Sequence, residues 1–262
     1  MNKNINVIPI FFAVDDAYIP FLAVTLQSLI INASKKNTYD IKILYTNIND
    51  KNKEKILKFE NQNTKIEFVD LSYYLEDLQS KFYTRDYYTN TTYYRLFIPN
   101  LYPQYDKVLY LDCDIVVLGD ISKLYNTDLE NNLIGAASCE VMRLFKNFSE
   151  YAEKVIGMKS YKNYINAGIL LMNLDEMRKI DFQSKFIYLL DNIKYSIAQD
   201  QDYINRMCKG RIKYIDQSWE VEPHPSANPR KEKDINIIHY LLIYKPWHFD
   251  NVLYQEYFLE IC

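Results

Sequence analysis

The acidic triplet Asp112-Cys113-Asp114 stands directly after the apolar run 108–111, at what should be the carboxyl end of a buried strand. Side chains alternate along an extended chain, so Asp112 and Asp114 point the same way. Two hard carboxylate oxygens aimed at one point suit Mn²⁺ or Mg²⁺, cations that keep further positions for substrate phosphates. A bare D-x-D is more often a solvated turn, because short motifs match by chance. Its place at a strand end argues for function. His239 follows the apolar run 235–238 and offers a third ligand. Alone, a histidine there is more often a satisfied structural residue, but an imidazole beside two carboxylates favours Mn²⁺ over Mg²⁺. Lys245, in Lys245-Pro246-Trp247, could neutralise a departing diphosphate. By itself it reads as a loop lysine above a packed tryptophan.

Three other clusters fit around such a centre. Asp15-Asp16 ends the apolar run 7–14. Asn166-Ala167-Gly168 precedes the run 169–172, and its small residues permit a close backbone approach. Gln199-Asp200-Gln201-Asp202 opens a helical pattern, where Asp and Gln could bind sugar hydroxyls. Acids at a helix N-terminus are also ordinary caps.

The elements that must position these residues are legible as periodicity. Strands are expected over 7–14, 41–45, 66–70, 108–111, 133–138, 168–172 and 235–239. Helical patterns cover 50–61, 182–193 and 201–208, and Tyr18, Phe21, Leu22, Thr25, Leu26, Leu29 and Ile30 share one helical face. Residues 220–230, with Pro223, Pro225 and Pro229, read as a loop. Strands separated by single helices imply a mostly parallel α/β sheet covered on both faces, with ligands beyond the carboxyl ends of its strands.

Composition narrows the class. The chain of 262 residues is 48% hydrophobic and 25% charged, with a formal net charge of −3. That is globular and gives no nucleic-acid-binding surface. Cys113, Cys139, Cys208 and Cys262 fall at no zinc-ligand spacing and fit a reducing cytoplasm. The N-terminal apolar run contains Pro9, meets Asp15-Asp16 and lacks a small-residue cleavage site, so it reads as a strand rather than a signal peptide. No segment approaches the roughly 20 apolar residues of a membrane span. The expectation is a cytoplasmic protein with no transmembrane segment, peripheral contact at the inner face of a membrane staying open.

Taken in order, the pieces resemble glycosyltransferase family 8. These are retaining enzymes of GT-A fold that include bacterial lipopolysaccharide galactosyl- and glucosyltransferases and the glycogenins. The resemblance runs through Phe12-Ala13-Val14-Asp15-Asp16-Ala17-Tyr18, Thr91-Thr92-Tyr93-Tyr94-Arg95-Leu96 and 107–114. It continues through Asn166-Ala167-Gly168, Asp200-Gln201-Asp202, His239-Tyr240 and Lys245-Pro246-Trp247. It implies a GT-A, Rossmann-like sheet flanked by helices, with a smaller mixed α/β C-terminal part. One domain spans 1–262, about 1–115 forming a nucleotide-binding half and about 116–262 an acceptor-side half. Ala13 and Asp15 contact uracil and ribose in this reading, with Cys113 beside them. Asp112, Asp114 and His239 hold Mn²⁺, with Mg²⁺ the alternative. Arg95, Asn166, Ala167, Asp200 and Gln201 hold the donor sugar, and Lys245 the diphosphate; Asp200 and Gln201 lie nearest the chemistry. The implied reaction is retaining transfer of glucose or galactose from UDP-glucose or UDP-galactose to a glycan or lipid-linked oligosaccharide. Two departures matter: many relatives have Asn where Ala17 stands and Gly where Leu242 stands. The chain also ends soon after Trp247, so the membrane-attaching tail of some relatives is expected to be absent or short.

Two rivals remain on the residues alone. Asp112-Cys113-Asp114-Ile115-Val116 also fits the D-x-D-x-[TV] signature of haloacid-dehalogenase-type phosphatases, where the first Asp attacks phosphate. That signature normally follows the first strand of its domain, and no downstream acidic pair is evident. A non-catalytic nucleotide-sugar-binding protein is the second rival.

Overall fold

The computed structural model describes residues 6–84, 89–195, 197–224 and 230–262. Nine strands are formed among them: β1 (Asn6–Ala13), β2 (Asn37–Tyr45), β3 (Thr64–Asp70), β4 (Lys107–Leu111), β5 (Ile115–Val117), β6 (Ile134–Ala136), β7 (Ile169–Asn173), β8 (Ile212–Tyr214) and β9 (Ile237–His239). The helices are α1 (Ile19–Asn32), α2 (Asp50–Leu57), α3 (Ile98–Leu101), α4 (Ile121–Tyr125), α5 (Lys146–Tyr151), α6 (Leu174–Lys179), α7 (Phe182–Asn192), α8 (Asp200–Cys208) and α9 (Gln255–Leu259). Seven strands make one mixed sheet in the order β3-β2-β1-β4-β7-β6-β8, while β5 and β9 pair separately. Strands from both sequence halves share the large sheet.

Strands β1 to β4 are parallel, as expected. The chain moves outward through β2 and β3, then returns to place β4 on the other side of β1. That reversal opens a crevice at the carboxyl ends of β1 and β4, where ligands of open α/β sheets bind. The expected alternation of strands and helices is interrupted in one place, and the mostly parallel sheet includes antiparallel pairs. Between β3 and β4 the chain makes 3₁₀ turns at Gln79–Lys81 and Asn90–Phe97 before the short α3. β7 runs antiparallel to both β4 and β6. Its direction brings its first residue, Ile169, opposite Leu111, the last residue of β4.

Two strands were not anticipated. β5 and β8 have three residues each, too few for a periodic signal. Residues 220–224 of the expected loop include Val221, which bridges to Ile238; residues 225–229 of that loop, with Pro225 and Pro229, lie outside the described residues.

Alternation along the strands builds a core on each sheet face. Phe11, Val108 and Tyr110 join one cluster with Phe97, Phe182 and Phe186. Ile10, Phe12, Leu109 and Leu111 join the other with Leu22, Leu26 and Leu29 of α1. The polar residues of α1 hold the chain beyond the acidic triplet. Buried Thr25 donates from Oγ1 to the carbonyls of Cys113 (2.9 Å) and Ile115 (2.8 Å), and Ser28 Oγ accepts from Val117 N at 3.0 Å. Among the described residues no helix is long and apolar enough to cross a membrane.

Candidate active site

The antiparallel step from β4 to β7 assembles the site. Asp112 N donates to Gly168 O at 2.7 Å, so Asn166-Ala167-Gly168 lies directly across from the acidic triplet. β5 continues from Asp114 and pairs Ile115 with His239, which carries the histidine beside the two carboxylates. His239 Nε2 is 3.2 Å from Asp114 Oδ1 and 3.7 Å from Asp112 Oδ2. Candidate ligand atoms of all three residues lie within 4.8 Å of one another. Two carboxylates and an imidazole converging this closely are a donor set fit for Mn²⁺ or a similar divalent cation. Gly168 keeps that space open: a Cβ there would stand 2.1 Å from His239 Cε1 and 2.8 Å from Asp112 Oδ2.

Burial controls the charges. His239 is buried, and its Nδ1 lies 2.5 Å from Glu220 Oε1. Burial alone depresses its pKa, but Glu220 and Asp114 outweigh that and raise it well above the usual imidazole value. Burial likewise pushes Asp114 upward, whereas Lys245 and His239 hold its carboxyl well below the ordinary range. Lys245 Nζ donates to Asp114 Oδ2 and to Tyr240 O. Trp247 stacks on Phe21 of α1 with ring centroids 3.8 Å apart, pinning the segment that delivers the lysine.

Arg95 is the second hub. Its guanidinium is buried, with Nη2 3.0 Å from Asp112 Oδ1 and Nε 3.1 Å from Asp200 Oδ2. Nη1 donates to Ala167 O, and the group lies over the Tyr110 ring at 4.2 Å. Tyr110 Oη donates to Asp112 Oδ1 at 3.0 Å. Asp200, at the start of α8, is raised to about 7 by burial, which Arg95 only partly offsets. Gln201 Oε1 accepts from Ala167 N at 2.9 Å, and Asn166 Oδ1 accepts from Gly168 N at 2.8 Å. Asp15 accepts the N–H groups of Ala17 and Tyr18, both at 3.1 Å.

One cavity is lined by Ala13, Asp15, Arg95, Asp112, Cys113, Asp114, Asn166, Ala167, Asp200, Gln201, His239 and Lys245. Asp16, which accepts from Asn49 and Asn52, and Asp202, which accepts from Tyr164 and Ala198, do not line it, and neither does Gln199. Leu242 also lines it, with φ of 54°. That is the left-handed region, which favours glycine, so leucine is an unusual residue at this position. The lining also includes the apolar side chains of Val141, Met142, Phe148, Ile197, Leu241 and Leu242. Sequence reasoning named Leu242 but passed over the rest of that apolar group, and it gave no role to Tyr110, Glu220 or Glu222. Glu220 and Glu222 flank Val221 at alternate positions after Trp219, a pattern that could have marked them as a paired polar face.

The chain and its fold have counterparts among known proteins. A protein of Haemophilus influenzae assigned as a glycosyltransferase is 32% identical over 251 residues, covering 91% of this chain and 72% of the relative. A lipopolysaccharide 1,2-glucosyltransferase of Escherichia coli K12 is 27% identical over 283 residues, covering 98% of this chain and 80% of its own. Among solved structures, the bifunctional glycosyltransferase WbbM superposes with a TM-score of 0.85 at 27% identity, covering 98% of this chain and 49% of that one. Galactosyltransferase LgtC, crystallised with donor and acceptor sugar analogs, gives a TM-score of 0.78 at 26% identity, with 97% and 95% coverage. The sequence profile of glycosyl transferase family 8 matches residues 9–251, which displaces the phosphatase alternative. With its mixed sheet, its crevice at the β1–β4 reversal and these counterparts, the chain belongs to glycosyl transferase family 8 and is a glycosyltransferase of GT-A fold.

Proposed function

We propose that this enzyme transfers glucose or galactose from a UDP-sugar to a glycan or lipid-linked oligosaccharide, with retention of configuration. The observation that carries the reading is the convergence of Asp112, Asp114 and His239 on one point of the cavity floor, with ligand atoms within 4.8 Å. These residues would hold Mn²⁺, or Mg²⁺ in its place, and the cation would supply charge to stabilise the departing UDP. Residues up to about 115 form the nucleotide-binding half, and those from about 116 the acceptor-side half, which also sends Asn166, Asp200, Gln201, His239 and Lys245 into the donor site. Ala13, Asp15 and Cys113 line the nucleotide end. Relatives named as lipopolysaccharide glucosyl- and galactosyltransferases support hexose transfer and a surface-glycan acceptor. A cytoplasmic enzyme working at the inner face of a membrane fits such an acceptor.

The remaining chemistry falls to the chain's own side chains. Lys245, now on Asp114, turns to the diphosphate and neutralises leaving-group charge. Arg95 orients Asp112 and Asp200 together, which ties the metal side of the cavity to the sugar side. Asp200 and Asn166 meet the sugar hydroxyls. Gln201 lies near the anomeric carbon, where its amide is a poor nucleophile, and its Oε1 is already engaged by Ala167 N. The acceptor hydroxyl therefore attacks from the face that UDP leaves, passing its proton to a phosphate oxygen as the glycosidic bond to phosphate breaks. Differential scanning with UDP, Mn²⁺ and both tests the reading. A ligand at a hundred times its Kd adds about 2.7 kcal/mol, and UDP with Mn²⁺ should exceed the sum of the separate shifts. Equal shifts with Mn²⁺ and with EDTA refute the metal bridge. Hydrolysis of UDP-glucose against UDP-galactose, without acceptor, then identifies the sugar.

A further inference from the structure

Residues 219–222 bring two buried carboxylates to the back of the site, and the transfer chemistry above uses neither. Glu220 is 0% exposed and Glu222 2%, yet neither lines the cavity. Val221 between them is fixed alongside β9: its N–H donates to Ile237 O at 3.0 Å, and its carbonyl accepts from His239 N at 2.9 Å. Alternate positions of an extended segment share a face, so the two acids project together. Glu220 reaches His239 Nδ1 at 2.5 Å. Glu222 accepts from Asn166 Nδ2 at 3.2 Å through Oε1 and from Val141 N at 3.1 Å through Oε2. Burying carboxylates is costly unless each is paired, and an apolar side chain would fill the same volume without that cost.

We propose that Glu220 and Glu222 are positioning residues, one for each half of the donor site: Glu220 aims His239 at the metal position, and Glu222 aims Asn166 at the sugar. The inference rests on the roles proposed above for His239 and Asn166. Glu220 accepts the Nδ1–H and so holds the ring with Nε2 facing Asp112 and Asp114, where a bound cation would take the place of the Nε2 proton. A carboxylate behind a metal-bound histidine also makes the imidazole a better ligand. Only Oε1 of Glu220 is engaged; Oε2 has no hydrogen-bond partner among the described residues. Glutamine at 220 therefore keeps the acceptor and loses the charge. Glu222 differs, because both of its oxygens accept an N–H. Glutamine at 222 offers one acceptor for two donors, so it must turn either Val141 or Asn166 away. Asn166 in turn holds Gly168 N, beside the two acids of the metal position.

The test compares Glu220→Gln, Glu220→Leu and Glu222→Gln with the wild type. Mn²⁺ binding is read by electron paramagnetic resonance of the free ion, and UDP, UDP-glucose and UDP-galactose binding by calorimetry at saturating Mn²⁺. Glu220→Leu should weaken Mn²⁺ about 10–100-fold, the range typical for a lost outer partner. Glu220→Gln should weaken it less but measurably, and it decides the question alone if the leucine variant does not fold. Glu222→Gln should bind Mn²⁺ and UDP as the wild type does, yet bind the UDP-sugar that the wild type prefers several-fold less tightly. A general structural role would lower all affinities together. Wild-type Mn²⁺ affinity in Glu220→Gln overturns the first half, and equal losses for UDP and UDP-sugar in Glu222→Gln overturn the second. A wild type that binds no Mn²⁺ overturns the metal reading itself and the Glu220 role with it.

Discussion

Adding a single methyl group at Gly168 probes the proposed metal position without replacing any ligand. Gly168→Ala places a Cβ 2.1 Å from His239 Cε1 and 2.8 Å from Asp112 Oδ2. Carbon atoms rest at about 3.5–4.0 Å, so the ring or the β7 backbone must give by about 1.4 Å or more. The backbone has little freedom, because Gly168 O accepts from Asp112 N at 2.7 Å and Gly168 N donates to Asn166. The imidazole is thus the part that moves, and it is held on its far side by Glu220. Metal–ligand distances tolerate only about ±0.2 Å. The expected result is a loss of Mn²⁺ affinity of at least about 10–100-fold, comparable to losing an outer-shell partner. Overpacking of this kind costs about 1–3 kcal/mol, a drop in Tm of roughly 2–12 °C at about 2–4 °C per kcal/mol. Melting in EDTA reads the packing cost, and the added shift from Mn²⁺ with UDP reads the site. A folded Gly168→Ala protein that binds Mn²⁺ with wild-type affinity would refute the assignment of this cleft to the metal.

Three further outcomes are expected. Asp114→Asn should reduce transfer by more than about 100-fold, and it should also melt lower in EDTA, because Lys245 loses a buried partner at a cost of about 3–5 kcal/mol; near-normal turnover would remove Asp114 from the metal site. Asp200, raised to about 7 by burial, keeps its proton in the folded state while an unfolded chain releases it near 3.8. Its contribution to stability is full below that lower value and is lost as pH rises to about 7. Melting in EDTA should fall between pH 5 and pH 8, and Asp200→Asn should flatten the curve; an unchanged slope counts against the buried acid. Finally, Gln201→Ala should slow transfer without abolishing it, and proton NMR of fresh product should show retained configuration. An inverted linkage, or a sugar adduct trapped on Asp200, would overturn the route proposed here.

The residue sequence by itself determined the inventory and most of the frame. Strands 7–14, 41–45 and 108–111 announced themselves as mostly buried, largely apolar runs, 66–70 as an alternating one with Ile66 buried and Glu67 exposed, and β1 to β4 match them within a few positions. The acidic triplet and Asn166-Ala167-Gly168 were readable for the same local reason: each abuts a strong strand signal. What the tertiary structure decided depends on pairing between distant segments. β7 runs against β4 because the chain returns to the sheet at the carboxyl end of β4, and no local pattern encodes that direction. β5 is three residues long and exists through its pairing with β9, which lies far along the chain. Glu220 looked like the first residue of a proline-rich loop, and only the bridge at Val221 brings it behind His239. Lys245 looked like a group waiting for phosphate; folding gives it Asp114 as a partner, since a buried cation must find an anion wherever the chain supplies one. Local periodicity fixes which residues face the core, while the partners of a buried charge follow from chain crossings that only the folded molecule makes.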